Sequence, residues 1–361
     1  MMEYKETVEF LKELTEAKGI SGNEKEASRV MKKYLEGFAD YFEYDNLGSL
    51  IAVKKGDSDL RVMLSGHIDE VGFIVSKIEE GGFLRISPIG GWWAHVLPSQ
   101  KMTVMTYEGK TYMGVVGSIP PHGMKPEVRN KVMDLKDLYI DLGVASKKEV
   151  EDMGICVGDS VVPYTEFMVM NNPDYVCSKA FDDRIGAAVC VEVMRRLKGE
   201  AHPNTLYSVG SVQEEVGLRG AKTATYHVKP DIAIAIDVSM SYDVPGGASG
   251  DSKLGAGVAL SVMDASVIGH KGLVKMMEGI CKEKGIKYTY DSLVAGGTDS
   301  GEINKSFDGV INMTLSLPCR YFHSHNSVVN LKDYEACVEL LVEFVKRLDA
   351  NKLNELKESK R

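Results

Sequence analysis

Five places in this 361-residue chain carry side chains able to act together: His67-x-Asp69, Asp182-Asp183, Glu214-Glu215, Asp237 and His323-Ser324-His325. Each follows or abuts an apolar run, except Asp182, which opens a helical pattern. In open α/β sheets ligands bind outside the carboxyl ends of the strands, so such runs bring acids and imidazoles to one rim. Histidines and carboxylates without thiolates suit zinc, cobalt or manganese. A set this rich in acids can hold two ions with one carboxylate shared between them. Consecutive side chains of a regular strand point to opposite faces. Glu214 and Glu215 can therefore share a site only where a strand has ended and the chain turns, which Gly217 allows. One glutamate then binds metal while the other acts as general base toward a metal-activated water, a hydrolytic division of labour.

Each place also has an ordinary explanation. His-x-Asp is commonly a hydrogen-bonded surface pair, paired aspartates at a helix start complement its dipole, and Glu-Glu is commonly a solvated charge run. Asp237 is harder to discount, because it follows Ala233-Ile234-Ala235-Ile236 and acids rarely follow buried runs without a partner. His95, His122, His202, His227 and His270 read as ordinary histidines, and Trp92-Trp93 as core or interface. Weak singly, the five places are strong in combination.

The surrounding pattern supplies elements to hold them. Val8, Leu11 and Leu14 mark one helix face, which Gly19 ends; Ser21-Gly22-Asn23-Glu24 has capping-box spacing before a second helix through Leu35. Strands are expected over residues 50–53 and 60–64, the latter running directly into His67. From Glu70 to Pro163 short β-like runs alternate with glycine turns, interrupted by one helix signal at Ser146-Lys147-Lys148-Glu149. Then helices (182–197, 273–284, 334–348) alternate with strands (206–212, 232–236, 310–317). That rhythm implies an α/β sheet covered on both faces, in two sequence pieces, with a β module between them.

Composition narrows the function. With 44% hydrophobic residues, 26% charged and 11 prolines, the chain is ordinary globular protein, neither collagen-like nor disordered. A net charge of −9 argues against a dedicated nucleic-acid binder. Six cysteines without a C-x-x-C, no signal-peptide pattern and no apolar run near the ~20 residues of a membrane span point to a reduced, cytoplasmic protein. H-E-x-x-H, G-x-S-x-G and the P-loop pattern are all missing.

The ordered motifs resemble those of the tetrahedral, or glutamyl/deblocking, aminopeptidases, a family of dinuclear metallopeptidases. They begin with Leu14-Thr15-Glu16-Ala17-Lys18-Gly19-Ile20-Ser21-Gly22-Asn23-Glu24 and Ser65-Gly66-His67-Ile68-Asp69-Glu70-Val71-Gly72. Gly90-Gly91-Trp92, Pro120-Pro121-His122 and Lys179-Ala180-Phe181-Asp182-Asp183-Arg184 follow. Gln213-Glu214-Glu215-Val216-Gly217-Leu218-Arg219-Gly220-Ala221, Gly296-Gly297-Thr298-Asp299 and Arg320-Tyr321-Phe322-His323-Ser324 complete the set. The resemblance covers essentially the whole chain. It implies a mixed-sheet α/β catalytic domain of the zinc-peptidase type over residues 1–69 and 164–361. Residues 70–163 would form an inserted β-barrel dimerisation domain, with dimers assembling further into dodecamers.

Carried over, the family pattern makes His67 and Asp237 ligands of one divalent ion and Glu215 and His323 ligands of the other, with Asp182 bridging. Glu214 becomes the general base, and Asp69 orients His67 from behind. Zinc or cobalt is expected, with manganese also open. Some relatives continue the His-Ser motif with proline and an acid; here the chain reads Ser324-His325-Asn326, which makes His325 a competitor of His323. The implied activity is removal of N-terminal residues from peptides. The alternatives are a dinuclear amidohydrolase acting on N-acylated amino acids, with Arg219 or Arg320 holding the substrate carboxylate, and a non-catalytic metal-stabilised assembly protein that has no need of Glu214. Lys253, Arg219 and Arg320 are the cationic candidates for reading the N-terminal side chain, whose identity the sequence leaves open.

Overall fold

A computed structural model describes residues 3–360. Helices α1 (Tyr4–Glu16) and α2 (Lys25–Leu35) precede strands β1 (Tyr41–Tyr44), β2 (Leu50–Lys54) and β3 (Arg61–His67). The chain then leaves the sheet for β4 (Gly72–Ile78), β5 (Leu84–Ile89), β6 (Lys101–Met105) and β7 (Thr111–Gly117). After the short α3 (Pro126–Arg129) come β8 (Tyr139–Asp141), α4 (Lys147–Asp152) and β9 (Ser160–Pro163). β10 (Met168–Val169) and β11 (Tyr175–Ser178) lead into α5 (Phe181–Arg196), β12 (Thr205–Ser211), α6 (Arg219–Val228) and β13 (Ile232–Met240). The remainder is β14 (Val258–Met263), α7 (Lys271–Lys284), β15 (Tyr288–Ser292), α8 (Ser300–Asn304), β16 (Ile311–Cys319), β17 (Ser327–Asn330), α9 (Leu331–Arg347) and α10 (Ala350–Glu358).

Eight strands form one mixed sheet in the order β1-β2-β12-β3-β13-β16-β14-β15. Its centre, β12-β3-β13-β16, is parallel, so these strands deliver their carboxyl ends to the same rim. Alternation along them assigns each face a core. Val62, Leu64, Ile232 and Ile234 pack with α5, α7 and α9, while Met63 and Ala233 pack on the other side with Ala221 and Ala224 of α6 and Ile303 of α8. Helix α5 lies between the sheet and its neighbouring helices and is buried almost all round, which explains its apolar run from Ile185 to Val191. Gly66 makes the contact with α5 possible: a Cβ there would stand 2.4 Å from the backbone nitrogen of Ala187.

Strands β4 to β9 close into a barrel, in the order β4-β5-β8-β7-β6-β9, filled by a core of its own that includes Phe73, Val104 and Ile140. Ser146 caps α4 as its sequence suggests, accepting the Glu149 N–H. The similar box at Ser21 does not cap α2. There the Ser21 hydroxyl donates to Asp69 at 2.6 Å, and Glu24 accepts the N–H groups of Gly22 and Gln213 at 2.5 and 3.2 Å. Among the described residues no helix is long and apolar enough to cross a membrane.

Candidate metal centre

His67 is the last residue of β3, and its ring is held from behind. Nδ1–H donates to the Asp69 carbonyl at 3.2 Å and lies 3.4 Å from the Asp69 carboxylate, leaving Nε2 facing the rim. Beyond β12 the chain turns at Gln213 (φ 56°) and Gly217 (φ 119°), and the Gly217 and Leu218 N–H groups close on the Glu214 carbonyl at 2.9 Å. This turn lets Glu214 and Glu215 face one space, as the pleat argument requires. Asp69 fixes it by accepting their N–H groups at 3.0 and 3.2 Å.

Asp182 and Asp183 occupy a non-helical stretch at the start of α5, joined by a cis peptide bond. Asp237 lies inside β13 rather than beyond its end, because the pairing with β16 continues to Met240 and Cys319. His323 follows β16 in a left-handed conformation (φ 56°) and donates from Nδ1–H to the Gly91 carbonyl at 2.8 Å, so its Nε2 also faces the rim. A Cβ at Gly91 would stand 3.0 Å from that Nδ1, so a larger residue there would press on the ring.

The side chains converge. One Asp182 oxygen lies 3.2 Å from His67 Nε2 and the other 3.2 Å from His323 Nε2. Glu215 is 3.5 Å from His323 Nε2, and Glu214 is 3.8 Å from His67 Nε2. Donor atoms of His67, Asp182 and Asp237 lie within 4.8 Å of one another, as do those of Asp182, Glu215 and His323, and those of His67, Glu214 and Glu215. These residues fit divalent ions. Bonds of about 2.0–2.1 Å to a tetrahedral zinc place donors roughly 3.3 Å apart. The buried Oε1 of Glu215 has no hydrogen-bond partner. Among the described residues no lysine or arginine pairs with Asp182, Glu214, Glu215 or Asp237.

The electrostatics agree. Burial raises the Glu215 carboxyl to about 8, helped by the charge of Asp182. Burial likewise raises Glu214 and Asp237 well above the carboxylate range. Burial also opposes charge on Asp182, but hydrogen bonds to His323 and His67 outweigh it and hold that carboxyl low. His323 is raised to about 10, since Asp182 overcomes the effect of its burial. Without a cation the cluster would hold protons; cations would take their place.

His325 stays apart. Its ring is buried against Trp92 at 5.8 Å, and it belongs to none of the three donor groups. The Ser324-His325 segment is turned rather than extended, with the Ser324 hydroxyl donating to the Tyr321 carbonyl at 2.6 Å. Trp92 stacks on Phe73 and Trp93 is exposed. Arg320 is engaged by Asp243 at 2.8 and 2.6 Å, and neither it, Arg219 nor Lys253 lines the cavity at the rim.

Several residues to which the sequence assigns no role support the site. Asp183 accepts the His67 N–H at 3.1 Å, and Asp299 accepts the hydroxyls of Ser65 and Ser211 at 2.8 and 2.5 Å. Glu70 receives Lys179 at 2.7 Å and Arg184 at 3.2 Å, both buried. Arg184 also donates to the carbonyls of Ile68, Leu14, Ala17 and Gly19. Each of these acids and cations stands inside a motif quoted from the sequence, but nothing local there names its partners.

The family model for M42 glutamyl aminopeptidase matches residues 48–340. A glutamyl aminopeptidase of Lactococcus lactis subsp. cremoris is 32% identical over 355 residues, covering 98% of this chain and 99% of the relative. The crystal structure of a TET aminopeptidase from a marine sediment Thaumarchaeota archaeon superimposes with a TM-score of 0.95 at 40% identity, over 98% of this chain and 99% of that one. The TET1 peptidase of Pyrococcus horikoshii, which can assemble into a tetrahedron or a large octahedral shell, matches with a TM-score of 0.86 at 32% identity, over 95% of this chain and 100% of that one.

Proposed function

The chain belongs to the M42 glutamyl aminopeptidase family and is a metallo-aminopeptidase, a hydrolase; from that premise we propose that it removes N-terminal residues from peptides using two divalent ions, zinc or cobalt, and Glu214 as general base. His67 and Asp237 would hold one ion, Glu215 and His323 the other, and Asp182 both. The observation that carries this reading is Asp182, whose two oxygens face different imidazoles at 3.2 Å each. When bound, the ions supply Lewis-acid polarisation of the scissile carbonyl and a more acidic water.

The protein's own groups do the rest. Glu214, whose proton affinity is raised by burial, takes a proton from the attacking water and returns it to the leaving amine. Asp69 and the Gly91 carbonyl keep His67 and His323 in the tautomer that presents Nε2. The acid-rich rim favours the free ammonium end of a peptide, which suits exopeptidase action. A deacylase would need a cation for its substrate carboxylate, and among the described residues no lysine or arginine lines the cavity.

The barrel, within residues 70–163, is assigned to dimerisation, with dimers building a shell like that of the Pyrococcus horikoshii relative. The cytoplasm suits the six unpaired cysteines, which would stay reduced there. The test is hydrolysis of aminoacyl reporter amides and of their N-acylated forms by zinc- or cobalt-loaded protein. Cleavage confined to the free-amine reporters is the expected outcome. Preference for the acylated forms would overturn the aminopeptidase reading.

A further inference from the structure

The cavity at the rim, about 510 Å³, is lined by apolar side chains as well as by the donors. Leu218, Val238, Met240, Leu293, Ala295 and Phe322 form this apolar wall, with the neutral Ser239 and Thr298 beside them. Four of the apolar residues sit in the turn after β12, at the end of β13 and in the loop after β16, on the rim that gathers the donors, while Leu293 and Ala295 come from the loop after β15, a strand antiparallel to β16. The volume lies in the usual range for a small-molecule site, roughly 300–1,000 Å³.

Charge on this wall is restricted to one sign. Among the described residues no lysine or arginine lines the cavity, and the acid outside the donor set is Asp264, only 4% exposed. Its Oδ1 accepts the N–H and hydroxyl of Ser266 at 2.6 and 2.7 Å and the Val267 N–H at 3.0 Å. Its Oδ2 accepts the Thr298 hydroxyl at 2.9 Å. These four bonds occupy Asp264 in holding its loop. It is no free partner for an entering ammonium group, yet it adds negative potential against an entering carboxylate.

We propose that this apolar wall is the subsite for the peptide's N-terminal side chain and that it selects large uncharged side chains, such as those of leucine and methionine, over acidic ones. The inference rests on the aminopeptidase reading above and departs from the glutamyl preference in the family's name. A leucine side chain entering the cavity exchanges water for Leu218, Leu293 and Phe322. A glutamate side chain would lose water and find no lysine or arginine to pair with, the proposed ions being taken up by the donor carboxylates and the scissile group. Lysine would fall between, tolerated by the potential but unpaired.

The experiment is a panel of leucyl, methionyl, lysyl and glutamyl reporter amides hydrolysed by the metal-loaded protein. A kcat/KM for leucine about 100-fold above that for glutamate is expected. A glutamyl reporter cleaved as well as the leucyl one overturns the subsite while leaving the aminopeptidase reading intact. Binding gives a second measure: calorimetric titration of Glu214→Gln protein with leucine amide and with the α-amide of glutamate should show the former binding more tightly. If no reporter is cleaved, the aminopeptidase reading fails; tighter leucine amide binding in that case still supports the apolar wall, and equal binding overturns it. Leu293→Arg should shift the leucine-to-glutamate ratio toward glutamate by roughly tenfold. An unchanged ratio in the folded variant would remove Leu293 from the subsite and overturn the proposed wall.

Discussion

The Asp69 carboxylate stands 3.4 Å from Nδ1 of His67 and also accepts the backbone N–H groups of Glu214 and Glu215. One buried side chain thus sets an imidazole on β3 and the turn after β12, 145 residues further along the chain. Ser21 donates to the same carboxylate, so the amino-terminal segment is part of the arrangement.

Asp69→Asn tests that arrangement. The amide offers one accepting oxygen where the carboxylate offers two, so one of the two turn N–H groups loses its partner. The fold should survive, while metal affinity falls about 10- to 100-fold, the usual cost of losing a group that orients a ligand. Metal titration followed by bound-metal analysis reads this directly. Parent-like affinity would show that Asp69 does not orient the site.

Glu214→Gln should keep both ions and the fold while turnover falls by about 10²–10⁴-fold or more, since a base and not a ligand is removed. Metal content is measured beside kcat. Substantial activity in this variant would end the general-base assignment.

Asp182→Asn should lose metal more severely than any other ligand substitution. Both donor groups proposed as ion sites contain Asp182, and a neutral amide bridges two cations poorly. Two ions bound as tightly as in the parent would rule out the bridging role.

What the sequence could reveal follows from how local each signal is. His67 is visible because it ends an apolar run, and Glu214-Glu215 because two adjacent acids can meet only where a pleat stops. Gln213 in a left-handed conformation is that stop. An acid reads as a boundary, so the sequence places Asp237 just past its strand. The strand continues through it because its parallel neighbour β16 does. Ser21 and Glu24 show the reverse failure. Their spacing is that of a cap, but their partners, Asp69 and Gln213, are 48 and 189 positions away, and no local pattern encodes such distances. The roles of Asp183 and Asp299 are not legible for the same reason, as their partners lie on β3 and β12.

The network behind the site should govern stability. Glu70, Lys179 and Arg184 are buried together, and Arg184 holds the end of α1 against the loop after β3. Glu70→Ala would leave two buried cations without their carboxylate, a loss of about 3–5 kcal/mol. Glu70→Gln, which keeps hydrogen-bonding capacity, should lose less. Urea unfolding of parent and variants, followed by a far-ultraviolet signal, checks the order. An Ala variant as stable as the parent would show that the network contributes little.

The two histidines after β16 should part company. His323 presents Nε2 to Asp182 and Glu215, with its other nitrogen tied to the Gly91 carbonyl. His323→Ala should therefore weaken one ion, lowering activity at limiting metal, with partial recovery as metal is added. His325 points elsewhere: its ring packs on Trp92, and Thr165 donates to its carbonyl at 2.6 Å. Burial holds its imidazole down at about 4, so the ring remains neutral at ordinary pH. Removing it opens a cavity beside Trp92 and should cost roughly 2 kcal/mol of stability with metal affinity unchanged. Titration of both variants by activity and by bound metal separates these effects, and thermal unfolding supplies the stability term. If His325→Ala loses an ion while His323→Ala keeps both, the ligand assignment passes to His325, and the turned geometry of Ser324 must open in solution to deliver it.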